Sequence, residues 1–127
     1  MEDTASIEVS VEADKSLTVI TVKGKLQAGQ LKKTLTECRK KNPGKYCLID
    51  LSHGSWFHLP TEHFRKVLQG MDRLAGEDGK SALVFGNDAD FGIGRMIESV
   101  LALNEYGKQV ECFRCRDKAY QWITQDS

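Results

Sequence analysis

The stretch DLSHGSWFHLPTEHF, residues 50–64, holds all three histidines of the chain, His53, His58 and His63, with one of its two tryptophans and one of its two prolines. Imidazoles gathered this way raise the question of a metal site, a ligand pocket or a regulatory switch, set against plain structure. Two ligands of one metal stand three or four residues apart on a helix face and two apart on a strand face. The histidines stand five apart, which meets neither geometry and matches no zinc pattern. They are expected as loop and helix-start residues, with no metal and no cofactor.

Two further constellations carry chemistry in principle. Cys112-Phe113-Arg114-Cys115 is a C-x-x-C in which Arg114 and Arg116 could favour a thiolate. Cys112, however, shares a strand side with Val110, so core packing accounts for it, and no second cysteine pair completes a zinc ribbon. Gly92-Ile93-Gly94 with Arg95 has the look of an anion-binding turn. A dinucleotide fingerprint needs a third glycine and normally opens the first βα unit. Close backbone packing or a loose helix start is the plainer expectation there. Ser55 lies near histidines without a defensible Ser-His-Asp spacing, and no P-loop is present. No catalytic residue is assigned, and the chain is not expected to be an enzyme.

The elements that must position these residues follow from periodicity. Ile7, Val9 and Val11 alternate with Glu8, Ser10 and Glu12, a half-exposed strand. LTVITV, residues 17–22, is a second β-rich run, the two forming an opening hairpin that Gly24 closes. Ala28, Leu31, Leu35 and Cys38 fall at helical spacing until Asn42-Pro43-Gly44. YCLIDL, residues 46–51, is apolar but for Asp50, as in a strand covered on both faces. Phe64, Val67, Leu68, Met71 and Leu74 mark a second helix, started at Pro60-Thr61. SALVF, residues 81–85, is another buried strand, followed by a helix on Ile93, Met96, Ile97, Val100 and Leu101. Residues 109–113 form a last strand, and Ala119, Trp122 and Ile123 give a closing helix one face. The order β-β-α-β-α-β-α-β-α predicts a single α/β domain over residues 1–127, with a mainly parallel five-stranded sheet, an N-terminal hairpin and flanking helices.

With 127 residues, 40% hydrophobic and 28% charged, the chain is an ordinary globular one rather than a disordered one. Basic and acidic residues balance at 18 each, so no global field recruits nucleic acid. Residues 23–45 carry eight bases against one acid but no aromatic residue to stack on bases, and read as a solvated face. No apolar run reaches the roughly 18 residues of a membrane span, and no signal peptide is apparent. A cytoplasmic, reduced protein is expected, its four cysteines as thiols.

Three segments in this order look familiar: CLIDLSHGSW, ALVFGND, and VECFRCRDKAYQWI with Phe113, Ala119 and Trp122. Over about residues 7–123 the chain resembles the STAS superfamily, and most its small stand-alone SpoIIAA-like bacterial members. The resemblance implies a non-enzymatic regulatory or protein-interaction module. In the sporulation-type members a serine at a helix start is phosphorylated and a kinase docks around it. Asp50 matches the strand-end aspartate of that pattern. The family's Asp-Ser-Ser-Gly switch would fall near residues 58–61, which read His-Leu-Pro-Thr here, leaving Thr61 as the hydroxyl. Thr61 is therefore both a candidate switch and an ordinary helix cap. Another branch, of dimeric proteins compared at fold level with CRAL-TRIO-type lipid carriers, carries a tryptophan in this loop, as Trp56 does.

Binding surface gathers beyond the carboxyl ends of parallel strands. Trp56, Phe57 and Leu59 place bulky apolar groups there, which invites a protein partner, a kinase or sensor regulator by the resemblance, or a homodimer. The competing expectation is a lipid-like, amphipathic anionic ligand held by Trp56, Phe57, His58 and Arg95.

Overall fold

The structure is a computed structural model that describes residues 5–26, 46–55, 80–103 and 110–125, together with residues 30, 33, 34 and 37. Its elements are β1 (Ser6–Glu12), a 3-10 turn (Ala13–Lys15), β2 (Leu17–Lys25), β3 (Tyr46–Ser55), β4 (Lys80–Phe85), α1 (Asp88–Leu103), β5 (Val110–Phe113) and α2 (Arg116–Thr124). The five strands lie in one sheet in chain order. β1 is antiparallel to β2, and the pairs β2–β3, β3–β4 and β4–β5 are parallel. The expected hairpin, parallel sheet and flanking helices are thus the observed architecture.

Period-two alternation sorts the strand residues onto two faces. One face carries Ile20, Val22, Ile49, Leu51, Leu83, Phe85, Val110 and Cys112, with Phe91 and Ile93 of α1 against them. The other carries Leu17, Val19, Leu48, Ala82 and Val84, covered by Ala119 and Ile123 of α2. Because β3 and β4 are buried on both faces, their sequences are near-continuous apolar runs. Asp50 interrupts that run on the α2 face.

The elements depart from the sequence expectation in three places. β2 passes through Gly24 and runs to Lys25, and β3 continues from Leu51 to Ser55. The pairings Lys23–His53, Gly24–Gly54 and Lys25–Ser55, reached after a register shift between Thr21 and Lys23, supply the hydrogen-bonding partner that local pattern does not reveal. His53, Gly54 and Ser55 are therefore strand, not loop. Finally, α1 begins at Asp88 rather than near Ile93. Asn87 explains this: its side-chain oxygen accepts the Asp90 amide hydrogen bond at 2.8 Å, its amide nitrogen donates to the Asp90 carboxylate at 3.1 Å, and its carbonyl accepts from Phe91 at 3.1 Å. Asp88 and Asp90 also put negative charge at the positive end of the helix dipole.

The expected helices at residues 27–41 and 60–76 fall mostly or wholly outside the described residues. Within the first, Gln30, Lys33, Thr34 and Glu37 are helical. The Thr34 hydroxyl donates to the Gln30 carbonyl at 3.0 Å, and the Gln30 side chain donates to the Ala5 carbonyl at 2.7 Å.

Candidate functional site

Parallel pairing of β2 through β5 sends the chain out of β3, β4 and β5 at one edge of the sheet. Two described connections leave there: the Gly86-Asn87 turn into α1 and the Arg114-Cys115 turn into α2. This shared edge is where the sequence placed the binding surface.

At its base lies Asp50, only 3% exposed. One carboxylate oxygen accepts from the Ser52 backbone N–H at 2.8 Å and from the Ser52 hydroxyl at 2.6 Å. The other accepts from an Arg116 Nη at 2.8 Å. Arg116 reaches it because Asp50 points to the α2 face and Arg116 is the first residue of α2. Burial pushes the Asp50 carboxyl up, but the Ser52 hydroxyl, the Ser52 amide and Arg116 outweigh it and hold it below the usual carboxylate range. Asp50 is thus an ionised group that fixes the exit of β3 to the start of α2.

A second clamp stands beside it. Arg114 Nε donates to the Phe85 carbonyl at 3.2 Å and one Nη to the Gly86 carbonyl at 3.3 Å, while the other Nη pairs with the Asp88 carboxylate. The planar guanidinium therefore ties the end of β4 and the start of α1 to the end of β5. Gly86 is pressed against Ser52: a Cβ there would stand 2.1 Å from the Ser52 carbonyl oxygen. Two neighbouring connections are held in contact, backbone to backbone.

The candidate residues fare unevenly. Trp56, Phe57, His58, Leu59 and Thr61 lie outside the described residues, as do His58's companion His63 and the second expected helix. His53 is exposed on β3. Arg95 is on α1, seven residues past its start, about 10 Å along the axis. It is exposed and directs its charge to Glu98 at 3.4 Å. Gly92 and Gly94 are inside α1, not in a turn, which corrects the anion-turn geometry considered for them. Gly94 instead lets the helix approach Phe85: a Cβ would lie 2.8 Å from the ring and 3.1 Å from Cys112 Sγ. The paired arginines of the edge, Arg114 and Arg116, were read from sequence only as neighbours of Cys115. The signal for α1's true start, an asparagine followed by acids in NDAD, was present; the partnership of Asp50 with Arg116 had none, since 66 positions separate them.

The C-x-x-C splits between two environments. Cys112 is buried in the core, where burial and then Glu98 push its thiol far above the range in which thiolates form near neutrality. Cys115 is exposed at the N-cap of α2. Alkylation of the folded protein at pH 7.5, read by peptide mass spectrometry, is accordingly expected to modify Cys115 first and leave Cys112 unmodified until denaturant is added. Equal rates at both would contradict this burial.

No helix among the described residues is long and apolar enough to cross a membrane. No family model and no curated protein matches the chain. Among solved structures it is similar to an anti-sigma factor antagonist from Mycobacterium paratuberculosis, with a TM-score of 0.68, 16% sequence identity and coverage of 97% of each chain. The sheet order, the helix that closes the chain, and this likeness over nearly its whole length establish that the protein has a STAS-like fold.

Proposed function

We propose that the chain is a non-enzymatic STAS-like regulatory module that binds a protein partner, a kinase or sensor regulator, at the carboxyl edge of its sheet. The observation that carries this reading is the end-to-end likeness to an anti-sigma factor antagonist, a protein whose name describes binding to another protein. The site chemistry is in keeping with it. Asp50, Ser52, Arg114 and Arg116 are engaged with one another or with backbone, an arrangement suited to holding a surface rather than to proton or group transfer. β3 runs on from the Asp50 clamp to Ser55, and Trp56, Phe57 and Leu59 follow it in the chain; these are the proposed contact residues and Thr61 the proposed switch. The sequence pattern expects a helix start at Pro60-Thr61, and there free N–H groups and the helix dipole would favour a phosphate on Thr61.

The test is affinity capture from the native host with the wild-type chain and with a Trp56→Ala/Phe57→Ala variant, alongside intact-mass measurement of the endogenous protein. A kinase or sensor protein retained by the wild type and lost from the variant is expected. Wild-type material that captures no protein but carries a stoichiometric small amphipathic molecule in native mass spectrometry would replace this reading with the ligand-carrier one.

A further inference from the structure

The two edges of the sheet are treated differently. β5 is four residues long, and the Glu98 carboxylate from α1 accepts a hydrogen bond from the Cys112 backbone, so that edge is short and blunted. β1 is seven residues long, and no strand among the described residues pairs with its outer edge. It has no proline and no lysine within it, and an unbroken register from Ser6–Lys23 to Glu12–Leu17 with no bulge; its charges are Glu8 and Glu12. Val9 and Val11, 44% and 42% exposed, stand on one side of this edge strand.

We infer that the β1 edge is a self-association surface, on which β1 of a second copy of this chain pairs antiparallel about a twofold axis at Val9. The reason lies in the strand's own order, Ser-Ile-Glu-Val-Ser-Val-Glu. Centred on Val9, an antiparallel copy sets Val9 against itself and Ile7 against Val11, an all-aliphatic row on the α1 face. On the other face each glutamate meets a serine, Glu8 against Ser10 and Glu12 against Ser6, so the two acids never oppose each other. A shift of the centre by one residue, to Glu8 or Ser10, puts glutamate opposite glutamate in both cases, Glu8 against itself or Glu8 against Glu12, and leaves fewer aliphatic pairs in both. Lys23, the cross-strand neighbour of Ser6 and exposed, lies on the same face one strand further in and brings a positive charge toward Glu12 of the second copy. Like charges directly opposite destabilise a strand pair and unlike charges stabilise it, which selects this register.

A seven-residue edge buries less than the ~1,200 Å² of stable interfaces, so the association is weak and concentration-dependent. It uses none of the proposed partner-contact residues and is independent of the partner reading above.

Sedimentation equilibrium over protein concentrations from about 10 μM to about 1 mM decides it. Wild type is expected to show a monomer–dimer equilibrium. Ser10→Lys faces Glu8 of the second copy twice and is expected to tighten the dimer by about fivefold; Ser10→Glu is expected to weaken it by about fivefold. Both sites are exposed, and thermal melts of dilute protein check that the monomer fold is kept. A monomer across the whole range, or Lys and Glu variants shifting in the same direction, overturns the inference. So does a dimer that dissociates in Trp56→Ala/Phe57→Ala but ignores both Ser10 variants, which assigns association to the loop.

Discussion

Replacing Asp50 with alanine is expected to lower the melting temperature by about 10 °C, one of the two largest single-site effects at the strand edge. The carboxylate is buried and accepts three hydrogen bonds, from the Ser52 amide, the Ser52 hydroxyl and Arg116. Truncation leaves the half-buried Ser52 groups without their acceptor and Arg116 without its counter-ion. Cutting one partner from a fully buried pair costs more, but the Arg116 side chain is 50% exposed and water recovers part of its loss. A destabilisation of about 2–3 kcal/mol remains. Arg116→Ala is expected to cost about 1 kcal/mol, because Asp50 keeps both Ser52 donors. A double-mutant cycle between the two isolates their coupling. Melting curves of Asp50→Ala within 2 °C of wild type, ~0.5 kcal/mol, would show that the clamp contributes nothing.

The same group predicts an acid limb. The folded Asp50 carboxyl sits below its unfolded value, so the native state binds its proton less readily than the unfolded chain. Its contribution is therefore full above the unfolded pKa, about 4, and is lost as pH falls through the lower folded value. Stability measured from pH 6 down to pH 2.5 is expected to fall less steeply in Asp50→Asn than in wild type. Parallel curves would remove Asp50 from the acid response.

Gly86→Ala is the second large effect, and it comes with its own internal control. A Cβ at Gly86 would lie 2.1 Å from the Ser52 carbonyl oxygen and 2.9 Å from its carbon, both backbone atoms, one residue beyond the last β3–β4 pair, Leu51–Phe85. One of the two connections must move, and the movement reaches the Asp50–Ser52 hydrogen bonds. A loss of about 3 kcal/mol is expected, at the upper end for overpacking because no side chain can rotate away. Gly94→Ala meets the Phe85 ring and Cys112 Sγ and is expected to cost about 1–3 kcal/mol. Gly92, two residues earlier in the same helix, has nothing within 4 Å of its Cβ position and is exposed. Gly92→Ala is therefore expected to stabilise by about 0.5–1 kcal/mol through helix propensity and a less flexible unfolded chain. Chemical denaturation of the three variants gives the ordering directly. Equal effects for Gly86→Ala and Gly92→Ala would contradict the close backbone approach.

These effects bear on function through the geometry of the edge. The proposed partner contacts at Trp56, Phe57 and Leu59 follow β3 in the chain, and the backbone of β3 is held at Ser52 by the Asp50 hydrogen bond and by the close approach of Gly86. A variant that loosens either should weaken partner capture more than its global stability loss alone accounts for, because the contact residues are carried by that backbone.

By itself the sequence determined the strand order, the two helices α1 and α2, the two-faced character of β3 and β4, the core place of Cys112, and hence the sheet of the fold. Each rests on periodicity, which is a local property of neighbouring residues. It also pointed to the carboxyl ends of the parallel strands, the 52–61 stretch among them, as the binding surface. Only the tertiary structure decided that Asp50 meets Arg116, that Arg114 bridges two strand ends, that β3 runs on to Ser55, and that Gly94 but not Gly92 serves helix packing. Those outcomes depend on which strand lies beside which and in what register, and a single register step turns a side chain to the other face. A carboxylate and a guanidinium far apart along the chain leave no joint pattern in either segment; the sheet brings them to 2.8 Å.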